Sequence, residues 1–353
     1  DPLSCFGRDD VIQQFLAAVN RQKSIGLFGL RKIGKTWLIW QVKEQLAHHI
    51  VVYVDVQHFS KDCSDCYRRI IDECLRDVGF KYPEVKLPDL HFTRTNYAEN
   101  GHKEFGYDLV SLGACLRTKY KEVKVVLLLD GANQLVSGTP DVNGGFHGFH
   151  EFLTTIRRIS QQHEFLVSIM VCTSPESLRV DPLRSQGKPE FQYDHKVFLA
   201  SLSEEECNHL INAIGAQMGL GYTEESLSRL YYETGGHPYV TRQVCSLIVK
   251  NLRHSNAQQR TQDTLKQTMI QVRDVEQAVS EYLEYKSEYL ESLWQQLSRV
   301  EQEIMVIIAT RHSCTIEELT PAEERQQVSG ERTKAISTLV ENDLIEGCEN
   351  KYS

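Results

Sequence analysis

The stretch Gly29-Leu-Arg-Lys-Ile-Gly-Lys-Thr36 decides how the rest of the chain is read. It follows the apolar run Ser24-Ile-Gly-Leu-Phe28 and leads into Trp37-Leu-Ile-Trp40, so it joins a buried strand to an apolar-periodic helix expected from Lys35 to about His48. Glycines at Gly29 and Gly34 let the backbone curl until successive N–H groups point inward, and the helix N-terminus adds partial positive charge. The result is a nest for a β-phosphate. Lys35 can reach the β- and γ-phosphates, and the Thr36 hydroxyl can bind Mg²⁺. Lys32, Ile33 and Trp37 complete the loop positions expected to contact nucleotide.

Working outward, four more apolar runs read as strands: Ile50–Asp55, Val123–Asp130, Glu164–Cys172 and Lys196–Leu199. Almost every position in them is apolar, as strands covered on both faces require. Helical patterns between them, at about 62–78 and 105–120, predict an α/β core with a five-stranded parallel sheet and ligands at the strands' carboxyl ends. Residues 80–104 are turn-rich and read as a surface insertion.

Asp130 follows Val126-Leu-Leu-Leu129 and is placed to hold the Mg²⁺ water shell. Many hydrolysing relatives of this arrangement carry an acid at the next position to polarise the attacking water, whereas here it is Gly131. Without that base, unless Asn133 or another group substitutes, hydrolysis is expected to be slow, by about 10²–10⁴-fold. Thr173 or Ser174 is placed to sense a γ-phosphate, against the plainer reading of a strand-end turn before Pro175. Arg179 and Arg184 could act in trans in an assembly, against the commoner explanation of surface solubility.

Composition narrows the classes. The chain of 353 residues is long enough for two or three domains, and its net charge of −9 argues against a nucleic-acid coat. No apolar run of bilayer length occurs. Ten cysteines are scattered, mostly in apolar segments, which favours buried thiols and a reducing, cytoplasmic setting. Cys63 and Cys66, with His58 nearby, form one Cys-x-x-Cys pair without a second, and two ordinary cysteines at a helix start is the preferred reading. The first residue, Asp1, and the ending after a strand-like run suggest an internal piece of a longer polypeptide.

From Ser203 the pattern turns helical: 203–216, 223–234 and 238–252, with Thr234-Gly-Gly-His-Pro238 as a breaker. Residues 253–267 read as a connector. Residues 274–298 read as one amphipathic helix with Tyr282, Tyr285, Tyr289 and Leu293 in a stripe, packing on a neighbouring domain. The last residues give helices at 300–311, 315–326 and 331–342 and a strand beginning at Leu344, an order that suits a winged helix truncated in its wing. The expected domains are a nucleotide-binding core over 1–202, a helical lid over 203–252, a linker with the long helix over 253–298, and the winged helix over 299–353.

Phe6-Gly7-Arg8-Asp9, the glycine loop, Leu127-Leu-Leu-Asp130, Phe198-Leu-Ala-Ser-Leu-Ser203 and Gly235-Gly-His-Pro238 together resemble the STAND branch of the AAA+-related P-loop NTPases. The glycine loop alone is shared with many unrelated NTPases; the ordered set is more specific. The resemblance implies that Gly7 and Arg8 close the pocket near adenine and ribose. It also implies that Pro238 packs on the base, that His237 approaches the phosphates, and that Arg242 is a sensor on the last lid helix. It further implies ATP or ADP with Mg²⁺, and a switch that self-associates into an oligomer when a trigger sensed outside this chain opens it. An effector domain outside the chain would then act, in antiphage defence by analogy with bacterial members.

An origin-recognition or loader ATPase is the main alternative, since it also joins such a core to a winged helix that reads DNA. Residues 294–353 hold six basic and eleven acidic side chains, a poor surface for phosphate neutralisation. A metabolic kinase would have no need of the additional domains.

Overall fold

The computed structural model describes residues 7–56, 63–93, 101–132, 149–173, 193–258, 268–311, 313–319, 329–348 and 351–352. Contacts divide it into two units, one comprising Arg8–Gly29 and Lys35–Leu199, the other grouping Gly7 and Leu30–Gly34 with Ala200 onward.

In the first unit, helix α1 (Asp9–Asn20) precedes β1 (Ile25–Phe28), and α2 (Lys35–Gln45) leads to β2 (Ile50–Asp55). Helices α3 (Cys63–Lys81) and α4 (Gly101–Lys119) come before β3 (Val125–Asp130). Helix α5 (Phe149–Gln162), β4 (Leu166–Val171) and β5 (His195–Phe198) complete the unit. The five strands are parallel in the order β2-β3-β4-β1-β5. Parallel neighbours cannot be joined by a tight hairpin and need crossovers, which is why the apolar runs alternate with helices.

Every residue of β1, β3 and β4 is buried. In β3, Val125, Leu127 and Leu129 join a core with Ile70, Phe105 and Phe152 from α3, α4 and α5, while the intervening Val126 and Leu128 are equally buried on the other face. Each such side chain contributes roughly 1.5–3 kcal/mol on burial. The unbroken apolar runs are therefore the signature of a sheet covered on both sides. Helix α1 is closed by a buried lysine: Lys124 Nζ donates to the carbonyls of Val19 and Asn20, both at 2.7 Å. A cation against the last carbonyls of a helix meets its negative pole and satisfies acceptors the helix cannot.

The second unit begins with α6 (Glu204–Gln217), started by a capping box in which Ser203 and Glu206 exchange bonds. Strand β6 (Leu220–Tyr222), α7 (Glu224–Thr234), α8 (Pro238–Gln258) and β7 (Thr268–Ile270) follow, with β6 and β7 paired in parallel. This small sheet lies between the helices that periodicity predicts, β6 before the helix at 223 and β7 just after the connector over 253–267, because three-residue strands are too short to show a period.

The helix expected over 274–298 is two helices, α9 (Val272–Tyr285) and α10 (Glu288–Gln296). The chain leaves the helix at Lys286, whose N–H still bonds Tyr282 O, and the break shifts the phase of the stripe. Tyr282 and Tyr289 are buried, whereas Tyr285 is 70% exposed. Beyond it, α11 (Arg299–Arg311), β8 (Cys314–Thr315), α12 (Ile316–Leu319), α13 (Ser329–Glu341), β9 (Gly347–Cys348) and β10 (Lys351–Tyr352) surround a small core of Ile304, Leu319, Ile336 and Leu339. The last strands form an antiparallel sheet in the order β8-β10-β9, so the strand expected from Leu344 starts at Gly347 and pairs with β10. The described part of the helix expected over 315–326 is the short α12; its remainder lies outside the described residues.

No helix among the described residues is long and apolar enough to cross a membrane. Among them, no cluster of three or more His, Cys, Asp or Glu side chains is placed to hold a metal ion. Cys66 is buried; His58 and the Cys63 side chain lie outside the described residues.

Candidate nucleotide site

The loop leaves β1 at its carboxyl end, where Gly29 N–H donates to Thr173 O at 3.2 Å and so ties the loop's start to the end of β4. Lys32 and Gly34 take positive φ values of 61° and 105°, the conformations that turn the N–H groups of the loop inward. Lys35 begins α2 and its Nζ donates to Gly29 O across the loop at 2.7 Å. Ile33 is buried, Trp37 is half-buried, and Thr36 remains exposed at the helix start.

Across the sheet, β3 delivers Asp130. Its Oδ2 accepts from Thr36 Oγ1 at 2.7 Å and from the Tyr53 hydroxyl at 3.2 Å. Burial, with Asp130 and Asp55 close by, pushes the Tyr53 phenol far above its ordinary value, so it stays a donor. Tyr53 escapes a reading of the sequence because an aromatic in a buried strand looks like core. Thr36 and Asp130 offer a hydroxyl and a carboxylate side by side, the oxygen donor set that suits Mg²⁺ bound beside phosphates. Asn133 and Ser174, like Arg179 and Arg184, lie outside the described residues, as does Phe6.

The middle of the loop has partners of its own within the second unit. Lys32 Nζ sits 3.7 Å from the centroid of the Tyr239 ring and 5.2 Å from that of Tyr289. The Tyr289 hydroxyl donates to Arg31 O at 2.7 Å. That leaves its oxygen to accept from His237 Nε2–H, 2.9 Å away, which fixes the imidazole tautomer. Burial raises the Tyr289 phenol well above its usual range and keeps the donor protonated. Tyr289 lies outside the residues expected at the site, since a tyrosine stripe on a helix reads as packing.

The remaining expected positions fall as follows. Gly7 has φ 67°, and Arg8 is buried at the start of α1. Pro238 is the first residue of α8, where a missing N–H carries no penalty. The glycine pair before it has a structural cause: Gly235 caps α7 in the left-handed conformation, and a Cβ on Gly236 would stand 2.1 Å from Leu202 O. Arg242 is exposed on α8 and lines a groove formed by α6, β6 and α8.

A five-stranded parallel sheet with a glycine loop after its first strand and an aspartate at the end of the third has the α/β fold of P-loop, AAA+-type ATPase cores. Two solved structures share the architecture along nearly the whole chain. The Walker-type ATPase of Pyrococcus abyssi superposes with a TM-score of 0.64 at 13% identity, covering 99% of this chain and 93% of that one. The ORC2 protein of Aeropyrum pernix, solved in ADPNP–ADP complexes, gives 0.54 at 15% identity, with 99% and 89% covered. No protein-family model and no curated protein matches the sequence. At such identities the likeness establishes the fold, and the chemistry rests on the residues themselves.

Proposed function

We propose that this chain is an ATP-binding, slowly hydrolysing switch whose nucleotide state governs self-association, and that it works with Mg²⁺. The observation that carries the reading is the Thr36–Asp130 hydrogen bond beside the glycine loop. The loop amides and Lys35 bind the phosphates, Thr36 and Asp130 hold the metal, and Mg²⁺ neutralises charge on the transferring phosphoryl group. Gly131 supplies no side chain to take a proton from water, which favours occupancy over turnover. The resemblance supports Gly7 and Arg8 as contacts to adenine and ribose and Pro238 as a contact to the base; Ile33 and Trp37 flank the phosphate loop, and Thr173 reads the γ-phosphate. His237, bonded to Tyr289, links the loop to α10.

A ligand shifts an equilibrium only by its differential affinity for two states. Arg31 and Lys32 meet Tyr289 and Tyr239, so the conformation of the loop is coupled to α8 and α10. The helical segment then acts as a lid and residues 299–353 as a winged-helix switching domain. The resemblance to STAND proteins supports an antiphage signalling role in the cytoplasm, with trigger and effector outside the chain.

The likeness to the Aeropyrum pernix ORC2 protein favours a second reading, an origin-recognition ATPase. The candidate recognition helix α13 argues against it. Arg332 is buried there, with its guanidinium bonded to Glu303 and Leu319 O at 3.0 Å each, and so is spent inside the fold.

Light scattering of the full protein with Mg²⁺ and a slowly hydrolysed ATP analogue tests the switch. A nucleotide-dependent rise to a defined oligomer, absent in Lys35→Ala, is expected. Assembly of that mutant at the wild-type concentration would sink the switch, and a mass increase only on adding duplex DNA would favour the origin-recognition reading.

A further inference from the structure

The second unit holds a groove of whose lining the nucleotide reading uses only Arg242, and that through the resemblance alone. Helices α6 and α8 and strand β6 enclose about 910 Å³, with Ile211, Ile214, Leu220 and Val249 among the apolar walls. Met218, at the end of α6, is 45% exposed beside it. The cationic side chains lie along α8: Arg242 near one end, and Lys250 and Arg253 toward the other. Lys250 is paired with Glu281 at 3.0 Å. Among the described residues, Arg242 and Arg253 have neither a hydrogen bond nor an ion pair, and both are exposed.

Eleven residues is close to three helical turns, so these two arginines share one face of α8 about 16 Å apart. The groove runs along α8 from Thr241 to His254, about 20 Å. A small amphiphile with one anionic head would answer only one of the two cations. A helix with an apolar face and acids near both ends answers both while covering the aliphatic wall. We propose that this groove docks an acidic amphipathic helix of a partner protein, an interaction separate from nucleotide binding.

The test uses the full chain and a fluorescein-labelled synthetic helical peptide of about 18 residues, with leucines on one face and glutamates near both ends. A twin carries lysines in place of the glutamates. Fluorescence anisotropy is expected to show the glutamate peptide binding the wild type at least about tenfold tighter than its twin. The surface double variant Arg242→Glu/Arg253→Glu should reverse that preference, and Met218→Glu should weaken the glutamate peptide. Equal affinity for both peptides, an unchanged preference in the double variant, or no binding at about 500 µM peptide would overturn the proposal. So would sedimentation showing that Met218→Glu abolishes a self-association of the chain, since a second copy would then be the occupant.

Discussion

Thr36 Oγ1 and Asp130 Oδ2 stand 2.7 Å apart, joining residues 94 positions distant in the chain. The first is fixed at the start of α2 and the second at the end of β3, so the contact is set by the sheet register that places β1 and β3 on either side of β4. Asp130→Asn keeps the shape and removes the charge that a divalent cation needs. Calorimetric titration of nucleotide with and without Mg²⁺ is the check. The variant should retain metal-free affinity, lose most of the Mg²⁺-dependent gain, and hydrolyse at least about 100-fold more slowly. Thr36→Val should behave similarly, and affinity equal to wild type in Mg²⁺ for both would remove the pair from the metal site.

The core was legible because its strands are covered on both faces. An unbroken aliphatic run such as Val126-Leu-Leu-Leu129 cannot be a surface strand, and a glycine loop between a strand and a helix has few other uses. Three features were not legible. The β6–β7 pair is too short to show a period. The break at Lys286 involves no proline or glycine, so nothing in the sequence marks it, and the tyrosine stripe looks continuous. Tyr53 and Tyr289 carry apolar rings whose hydroxyls find partners only once distant segments meet, Asp130 in one case and Arg31 in the other. Pattern reading sees where a ring is buried and is blind to what its oxygen touches.

Tyr289 and Lys32 anchor the middle of the loop. Tyr289→Phe removes the donor to Arg31 O and the acceptor of His237 Nε2–H, leaving buried polar atoms at a cost of about 1–3 kcal/mol. Lys32→Met removes a cation resting on two rings and should cost no more than about 1 kcal/mol at this exposed position. Both changes should loosen the loop, and stopped-flow release of a fluorescent ATP analogue should be faster in each, by more in Tyr289→Phe. Unchanged release together with unchanged melting temperature would mean that the contacts do not restrain the loop.

His49 gives the fold an acid sensitivity. It is buried, its Nδ1 accepts from Lys124 N at 3.3 Å, and its Nε2 has no partner among the described residues. Burial, then the neighbouring His48, Lys124 and Lys81, lower its pKa from 6.5 to about 4. Between these values the unfolded chain binds a proton that the folded chain does not, so stability is full above about pH 6.5 and declines as pH falls toward 4. The loss from this group is at most about 3 kcal/mol. Urea unfolding at several pH values should show the decline in wild type and a flatter profile in His49→Gln; identical slopes would assign the acid sensitivity elsewhere.

Gly131 is the position on which the proposed slow turnover rests. It follows Asp130 directly and has φ 72°, a left-handed conformation that a side chain adopts only with strain. Gly131→Glu therefore sets two effects against each other, a stability loss of about 1–2 kcal/mol and a carboxylate close to the attacking water. If the missing base limits hydrolysis, the single-turnover rate should rise by about tenfold or more even as the melting temperature falls. Gly131→Ala separates the effects, because it brings the same backbone strain without the carboxylate and should lower stability while leaving the rate near that of wild type. A rate raised equally by both substitutions would show that loop geometry, and not proton removal, holds the reaction back.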